Sequence, residues 1–250
     1  MAEEAVLRPG ALALVTGASS GIGRAIAEAL LERRLRVICT ARRRGPLEEA
    51  FAARGDQVLI LPLDATDGAA VAALPESLPA DWREIDVLIA NAGSDVGGRR
   101  PFDRGEIEDW AGTIETNVTG VIRICHALLP GMLARGHGHL VTLGSTAGLQ
   151  SSAEHAIYST SKHAVHAFTD LLRKDYKRAP LRITEVMPGM VRTGFAAARH
   201  RGDADKAEAF YQSWPAVLEA RDIAAATLFA LEQPPHVNIA QILVTPTGDK

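Results

Sequence analysis

The chain has 250 residues, enough for one α/β unit with a large core. Lysine and arginine number 27 against 30 aspartates and glutamates, a net charge of −3, so nothing in the balance points to nucleic acid. No apolar run is expected to span a membrane, and Met-Ala-Glu-Glu-Ala lacks the basic segment of a signal peptide. Cys39 and Cys125, each in an apolar element, are expected to be buried free thiols in a reducing cytoplasm.

The apolar run from Ala11 to Val15 predicts a buried strand. Thr16-Gly17-Ala18-Ser19-Ser20-Gly21-Ile22-Gly23 follows it. Then Ile26, Ala27, Leu30 and Leu31 recur at helical spacing between Arg24 and Arg34. Strand, glycine-rich turn and helix are the setting of a dinucleotide fingerprint. There Gly17 permits the tight turn, Gly21 lets a pyrophosphate approach the backbone, and Gly23 lets helix and strand pack. The helix N-terminus offers N–H groups to the phosphates. The alternative is a glycine-rich turn with no ligand.

Further along, Arg36 to Ala41 reads as a strand, Pro46 to Arg54 as a helix and Gln57 to Leu61 as a third strand. A short helix is expected over Gly68 to Leu74, before a loop punctuated by Pro75 and Pro79. Ile85 to Ala90 is strand four, and a long helix from Glu106 to Arg135 closes near Pro130 and Gly136. Strand five (Gly138 to Leu143), a helix (Ala156 to Lys177) and strand six (Leu181 to Met187) come next. Val191 to about Gln212 carries small helical pieces, followed by a last helix, Asp222 to Leu231, and a last strand, Ile239 to Val244. This alternation implies a doubly wound parallel sheet of about seven strands, with helices on both faces, as a single domain over residues 1–250. No repeat or low-complexity tract suggests another.

Two side chains carry the chemistry. Tyr158 and Lys162 are four residues apart on an expected helix, one above the other. An ammonium held there favours the phenolate and is expected to lower the tyrosine pKa from its usual ~10. Tyr158 can then exchange a proton with an alcohol or carbonyl. At the end of strand two, Ala41 stands where an NAD site usually carries an acid, and Arg42 follows. A carboxylate there would repel a 2′-phosphate, whereas Arg grips it bidentately, so NADP(H) is the expected cofactor. The alternative is that Arg42, Arg43 and Arg44 form a solvated basic turn. Eight histidines give no metal reading. His137 and His139 lie at a turn with no acidic or cysteine partner nearby in sequence. His163 and His166 are expected in structural or surface roles. His155, three residues before Tyr158, is expected at the pocket rim.

Together these residues resemble the short-chain dehydrogenase/reductase family, from about Ala11 to about Thr245. The family's T-G-x-x-x-G-x-G motif is matched at Thr16 to Gly23, and its N-A-G motif at Asn91-Ala92-Gly93. Its catalytic Asn, Ser, Tyr and Lys fall on Asn117, Ser145, Tyr158 and Lys162, and its P-G motif on Pro188-Gly189, with Thr193 after it. The resemblance implies a Rossmann fold and NADP(H)-dependent hydride transfer between a carbonyl and an alcohol. Ser145 would stabilise the substrate oxygen, Tyr158 would act as general acid or base, and Asn117 would hold a water linking Lys162 to solvent. Lys162 and Tyr158 would also meet the cofactor. Ser19, Ser20 and Ile22 join the glycines at its phosphates. Asp64 meets the adenine amino group beside the Ala65 backbone, unless Asp64 only makes an N-cap or Asx turn. Gly93 lets the ribose approach, with Asn91 and Ala92 beside it, though Asn91 alone also reads as a strand-end tie. Pro188, Gly189, Val191 and Thr193 hold the nicotinamide end.

The stretches Leu128 to Met132, Gly144 to Gly148, Arg199 to Asp203 and Pro235 to Ile239 are similar to one branch of the family. That branch holds NADP-dependent 3-hydroxy acid and serine dehydrogenases and semialdehyde reductases. Arg192, Arg199 or Arg201 is then a candidate for an acidic substrate group. Leu149 to His155 departs from the aromatic, Pro- and Gly-containing version of that branch, which leaves a less polar ketone or aldehyde as the alternative substrate. A sensor that binds NADP without turnover typically loses the Tyr or the Lys, and both stand here. The resemblance also implies a homo-oligomer, dimer or homotetramer, paired through the long helix, the Tyr–Lys helix and the last helix and strand. Val121, Ile124 and Leu128 fit exposed faces there, and fit ordinary core packing nearly as well.

Overall fold

The computed structural model describes residues 7–248. Its strands are β1 (Leu12–Thr16), β2 (Arg36–Ala41), β3 (Val58–Pro62), β4 (Val87–Ala90), β5 (His139–Leu143), β6 (Arg182–Pro188), β7 (Val191–Arg192), β8 (Leu218–Glu219) and β9 (Gln241–Val244). Seven of them form one sheet in the order β3-β2-β1-β4-β5-β6-β9, and each neighbouring pair is parallel. The short β7 and β8 pair separately.

Side chains alternate across the sheet because successive Cβ atoms point to opposite faces. Ala13, Val15, Val37 and Cys39 pack under α1 (Gly21–Glu32), with Ile26, Leu30 and Leu31. Leu12, Leu14, Ile38 and Leu88 pack on the other side. There they meet α3 (Gly68–Ser77) and α5 (Gly120–Arg135) through Val71, Leu74, Ile124, Leu128 and Met132. Both thiols are free and buried, and burial pushes each up to about 12.

Several expectations need correction. α2 covers Arg44–Phe51 and ends earlier than read, passing into a 3₁₀ turn over Ala52–Gln57. Pro75 lies inside α3 instead of in a loop, because a proline in the last turn removes one N–H and leaves the turns before it intact. Asp67 caps that helix, accepting from Ala69 and Ala70. Pro130 likewise sits within α5, which stops only where Gly136 turns left-handed. The long helix is two, α4 (Ile107–Ile114) and α5, joined by a π turn over Glu115–Thr119. By length and composition the run Ile107–Arg135 is apolar enough to cross a membrane, contrary to expectation. Its apolar residues Val121, Ile124 and Leu128 are buried against the sheet, so they are core and not an exposed face. The large apolar side chains left exposed are others, among them Ile122, Leu171, Phe229 and Leu243.

Candidate active site

The sheet order reverses between β1 and β4, which opens a crevice at their carboxyl ends. Thr16 closes its floor. Its Oγ1 accepts from the N–H groups of Asn91 (2.9 Å) and Ala92 (3.0 Å), while Asn91 Nδ2 donates to the Thr16 carbonyl (2.8 Å). The Asn91 side chain is thus the strand-end tie, which leaves backbone to face the crevice. Gly17 and Gly21 have positive φ, 67° and 55°. A Cβ on Gly17 would come within 2.9 Å of Asn91 Nδ2, and one on Gly21 within 3.1 Å of Thr193 Cβ. Ser20 N-caps α1 without a side-chain hydrogen bond, so first-turn N–H groups stay available beside Ser19 and Ile22. This backbone-walled cradle at a helix N-terminus fits a pyrophosphate. At Gly23 a Cβ would lie 2.4 Å from both the Gly17 carbonyl oxygen and Asn91 Nδ2. Gly23→Ala should therefore destabilise the fold by about 1–3 kcal/mol, the usual penalty of overpacking. It should also weaken NADPH binding. Thermal melting and fluorescence titration read both, and an unchanged cofactor affinity would refute the close fit.

Arg42, exposed beyond β2, has no ion pair among the described residues, while Arg44 is held by Glu48 at 2.7 Å. Asp64 makes the Asx turn: its Oδ1 accepts from the Thr66 N–H (2.9 Å) and hydroxyl (2.8 Å), leaving Oδ2 outside that turn. Ala65 lies beside it, against Gly120 at the start of α5.

Asn117 sits in the π turn, fully buried. Its amide donates to the Ser94 carbonyl (2.8 Å) and to Ser161 Oγ (3.0 Å), and its Oδ1 accepts from the Ser94 N–H (2.7 Å). Its side chain therefore pins the loop after β4 to α6 (Ala156–Asp175). A Cβ on Gly93 would lie 3.5 Å from Asn117 Oδ1 and 4.0 Å from Lys162 Nζ, so the three meet at one point. Ser145 Oγ accepts from the Ala147 N–H at 3.1 Å. It also hydrogen-bonds Tyr158. Lys162 Nζ donates to the Leu143 carbonyl (2.8 Å) and stands 5.8 Å from the centre of the Tyr158 ring.

The expected lowering of the Tyr158 pKa by Lys162 does not hold here. Burial, then the Asp95 carboxylate, push the phenol up to about 12, against the Ser145 hydrogen bond and the Arg199 charge. Burial in turn pulls Lys162 down to about 8, against the carboxylates of Glu185 and Asp95. The phenol is thus protonated across the neutral range, and Lys162 is the group that titrates near it. In the fold the lysine's charged form is the disfavoured one, so its burial penalty applies below about 8 and fades as pH rises toward 10.5.

After β6, Gly189 N–H donates to the Val244 carbonyl (2.8 Å), and Pro188 O lies 3.5 Å from Ser145 Oγ. Val191 pairs with Leu218. Thr193 is held by Tyr211, whose hydroxyl donates to its carbonyl (2.8 Å), and it leans on Gly21. The segment then forms α7 (Phe195–Arg199) and α8 (Ala204–Gln212). Phe195 meets the Tyr158 ring edge-on, with centroids 5.8 Å apart. Of the three candidate arginines, Arg192 pairs with Glu208 and Arg201 with Asp109, each at 2.7 Å. Arg199 alone is buried, with Nε 2.7 Å from Asp95 Oδ2. His155 is buried too, more than a rim residue. It stacks on Tyr158 with centroids 4.8 Å apart and contacts Asp95 at 3.2 Å.

The sequence reading missed Asp95 and Glu185. Glu185 is fully buried on β6 and holds His166 Nδ1 at 2.7 Å. Each pairs with a group far away in the chain, so no local spacing marks it. His137 does have an acidic partner, Asp86, at 2.9 Å across the sheet edge.

A family model described as short chain dehydrogenase matches residues 11–204. The NADP-dependent 3-hydroxy acid dehydrogenase of Shigella flexneri is 38% identical over 236 residues, 94% of each chain. A probable NADP-dependent dehydrogenase of Haemophilus influenzae is 36% identical over 237 residues, 94% of this chain and 93% of that one. Among solved structures, a closed form of serine dehydrogenase complexed with NADP+ superposes with a TM-score of 0.92 at 37% identity, covering 96% of both chains.

Proposed function

This chain belongs to the short-chain dehydrogenase family, and from that premise we propose that it interconverts a carbonyl and an alcohol with NADP(H), taking a small 3-hydroxy acid or the matching semialdehyde as substrate. One observation carries the reading: Ser145, Tyr158 and Lys162 converge beside the glycine cradle, at the carboxyl edge of the sheet. The names of the relatives support the cofactor and the acid.

Bound NADP(H) supplies or takes the hydride. The Gly17 to Gly23 backbone would hold its pyrophosphate, Arg42 its 2′-phosphate, Asp64 its adenine, and Gly93 with Pro188 to Thr193 its nicotinamide end. Ser145 donates to the substrate oxygen and stabilises the negative charge that grows there. Tyr158 gives its proton to that oxygen in reduction and takes it back in oxidation. A phenol held at about 12 already carries the proton that reduction consumes. Lys162 keeps a positive charge near the phenol and restores its proton. Carbonyl reduction should therefore be flat below the Lys162 value of about 8 and fall above it. A pH profile of kcat reads this, and a limb at the ordinary lysine value of 10.5 would contradict it.

We place the protein in the cytoplasm, where Cys39 and Cys125 stay reduced. We also propose a homo-oligomer, up to a tetramer, that covers the exposed Leu171, Phe229 and Leu243. Sedimentation reads its mass, and a monomer would count against it.

The test is NADPH and NADH consumption over succinic and malonic semialdehydes, a simple aldehyde and a cyclic ketone. Semialdehyde turnover with NADPH preferred is expected. A preference for the cyclic ketone would move the substrate to neutral carbonyls. NADPH binding without any turnover would indicate a sensor.

A further inference from the structure

Beside Tyr158 lies a buried charged cluster that the hydride chemistry leaves unused. Arg199 is 6% exposed, and its Nε meets Asp95 by distance only. Neither Nε nor Nη1 makes an aligned hydrogen bond, although both are shut off from water. Nη1 has neither an ion pair nor a hydrogen bond, and a buried donor without an acceptor is costly.

The group is rigidly held. Its Cζ lies 4.9 Å from the centre of Phe210 and 5.6 Å from that of Phe195. The Gly97 N–H donates to the Arg199 carbonyl at 3.2 Å. Gly98, with φ of 65°, lies against the side-chain stem, where a Cβ would come within 2.9 Å of Arg199 Cγ. Phe195 is also the ring that meets Tyr158. Arg199 and Tyr158 thus both contact the Phe195 ring, and the guanidinium charge is felt at the phenol.

Asp95 would repel an anion here, but Arg199 and His155 both contact it. Arg99 is close enough to couple with Arg199, and Arg100 also buries an Nε without a partner. Arg99 and Arg199 thus offset the carboxylates of Asp95 and Glu154, so Asp95 does not leave the cluster with an excess of negative charge. We propose, on the strength of the oxidoreductase reading, that Arg199 determines specificity by receiving the substrate carboxylate on its Nη1 N–H groups, with Asp95, paired to Nε, as the residue that positions it. In a 3-hydroxy acid one methylene separates the reacting carbon from the carboxylate, so the acid group lies near the proton donor, where the Arg199 charge is felt.

The test compares NADP+-dependent oxidation of 3-hydroxybutyrate and its methyl ester. Arg199→Met should raise KM for the acid about tenfold to a hundredfold, the worth of a charge-assisted hydrogen bond. The ester should change less than about threefold in either constant, since it never used the charge. Arg199→Lys should recover part of the acid KM, as a charge without the fork. It also serves should the Met variant fail to fold, as thermal melting with NADP+ would reveal. Equal losses on acid and ester would overturn the anchor. A wild-type protein that oxidises the ester but not the acid would overturn it and leave the oxidoreductase reading standing. Oxidation of neither would overturn both.

Discussion

Tyr158→Phe lowers kcat/KM for carbonyl reduction about 10³-fold, in the range that a positioned proton donor contributes, while NADPH binding stays within about threefold. The substitution removes one oxygen and little else. The Phe ring keeps the stack on His155 at 4.8 Å and the edge contact with Phe195 at 5.8 Å, so α7 stays closed over the site. Lys162 keeps its bond to the Leu143 carbonyl, because that contact does not involve the phenol. What is lost is the proton that the enclosed hydroxyl holds across the neutral range. Steady-state kinetics with the best semialdehyde give the rate, and NADPH fluorescence gives the binding. Turnover within about tenfold of wild type would mean that another acid, or water, supplies the proton. Loss of NADPH binding would mean that the tyrosine has a mainly structural role.

Arg42→Ala raises the KM for NADPH about tenfold to a hundredfold, matching the 1.5–3 kcal/mol of a hydrogen bond to a charged group. The KM for NADH barely changes. The difference follows from the end of β2, where Ala41 is small and carries no charge, and Arg42 is exposed with no carboxylate holding it among the described residues. It is then open to a 2′-phosphate. Arg44 cannot take over easily, because it already pairs with Glu48. Initial rates with each cofactor at a fixed semialdehyde concentration decide the matter. Equal rises for both cofactors would reduce Arg42 to a general attraction for phosphate.

Local pattern made much of this protein legible. β2 falls on Arg36–Ala41 as read, because a short, mostly apolar and β-branched run between turns admits few other structures. The glycine turn, the Asn91-Ala92-Gly93 segment and the Tyr158–Lys162 pair each lie within a few residues of chain, so their spacing alone marks the cradle and the reaction centre. Wherever a property depends on what the chain folds against, the sequence misleads. Val121, Ile124 and Leu128 fit an exposed stripe and a core face nearly equally well, and only the fold shows that α5 turns them onto the sheet. Asn117 looks like an ordinary helical residue, and only the folded chain opens a π turn around it and ties its amide to Ser94 and Ser161. The Tyr158 pKa rises where helix spacing alone predicts a fall, because burial and Asp95 outweigh an ammonium that faces Leu143. The pairing of Asp95 with Arg199 joins the loop after β4 to a helix far along the chain. The sequence by itself determined the sheet, the glycine-lined turn and the Tyr158–Lys162 pair, since these rest on short-range spacing and backbone geometry. Tertiary structure alone decided which charges are buried and which donors lack acceptors, because desolvation and pairing exist only once distant segments have closed over the site.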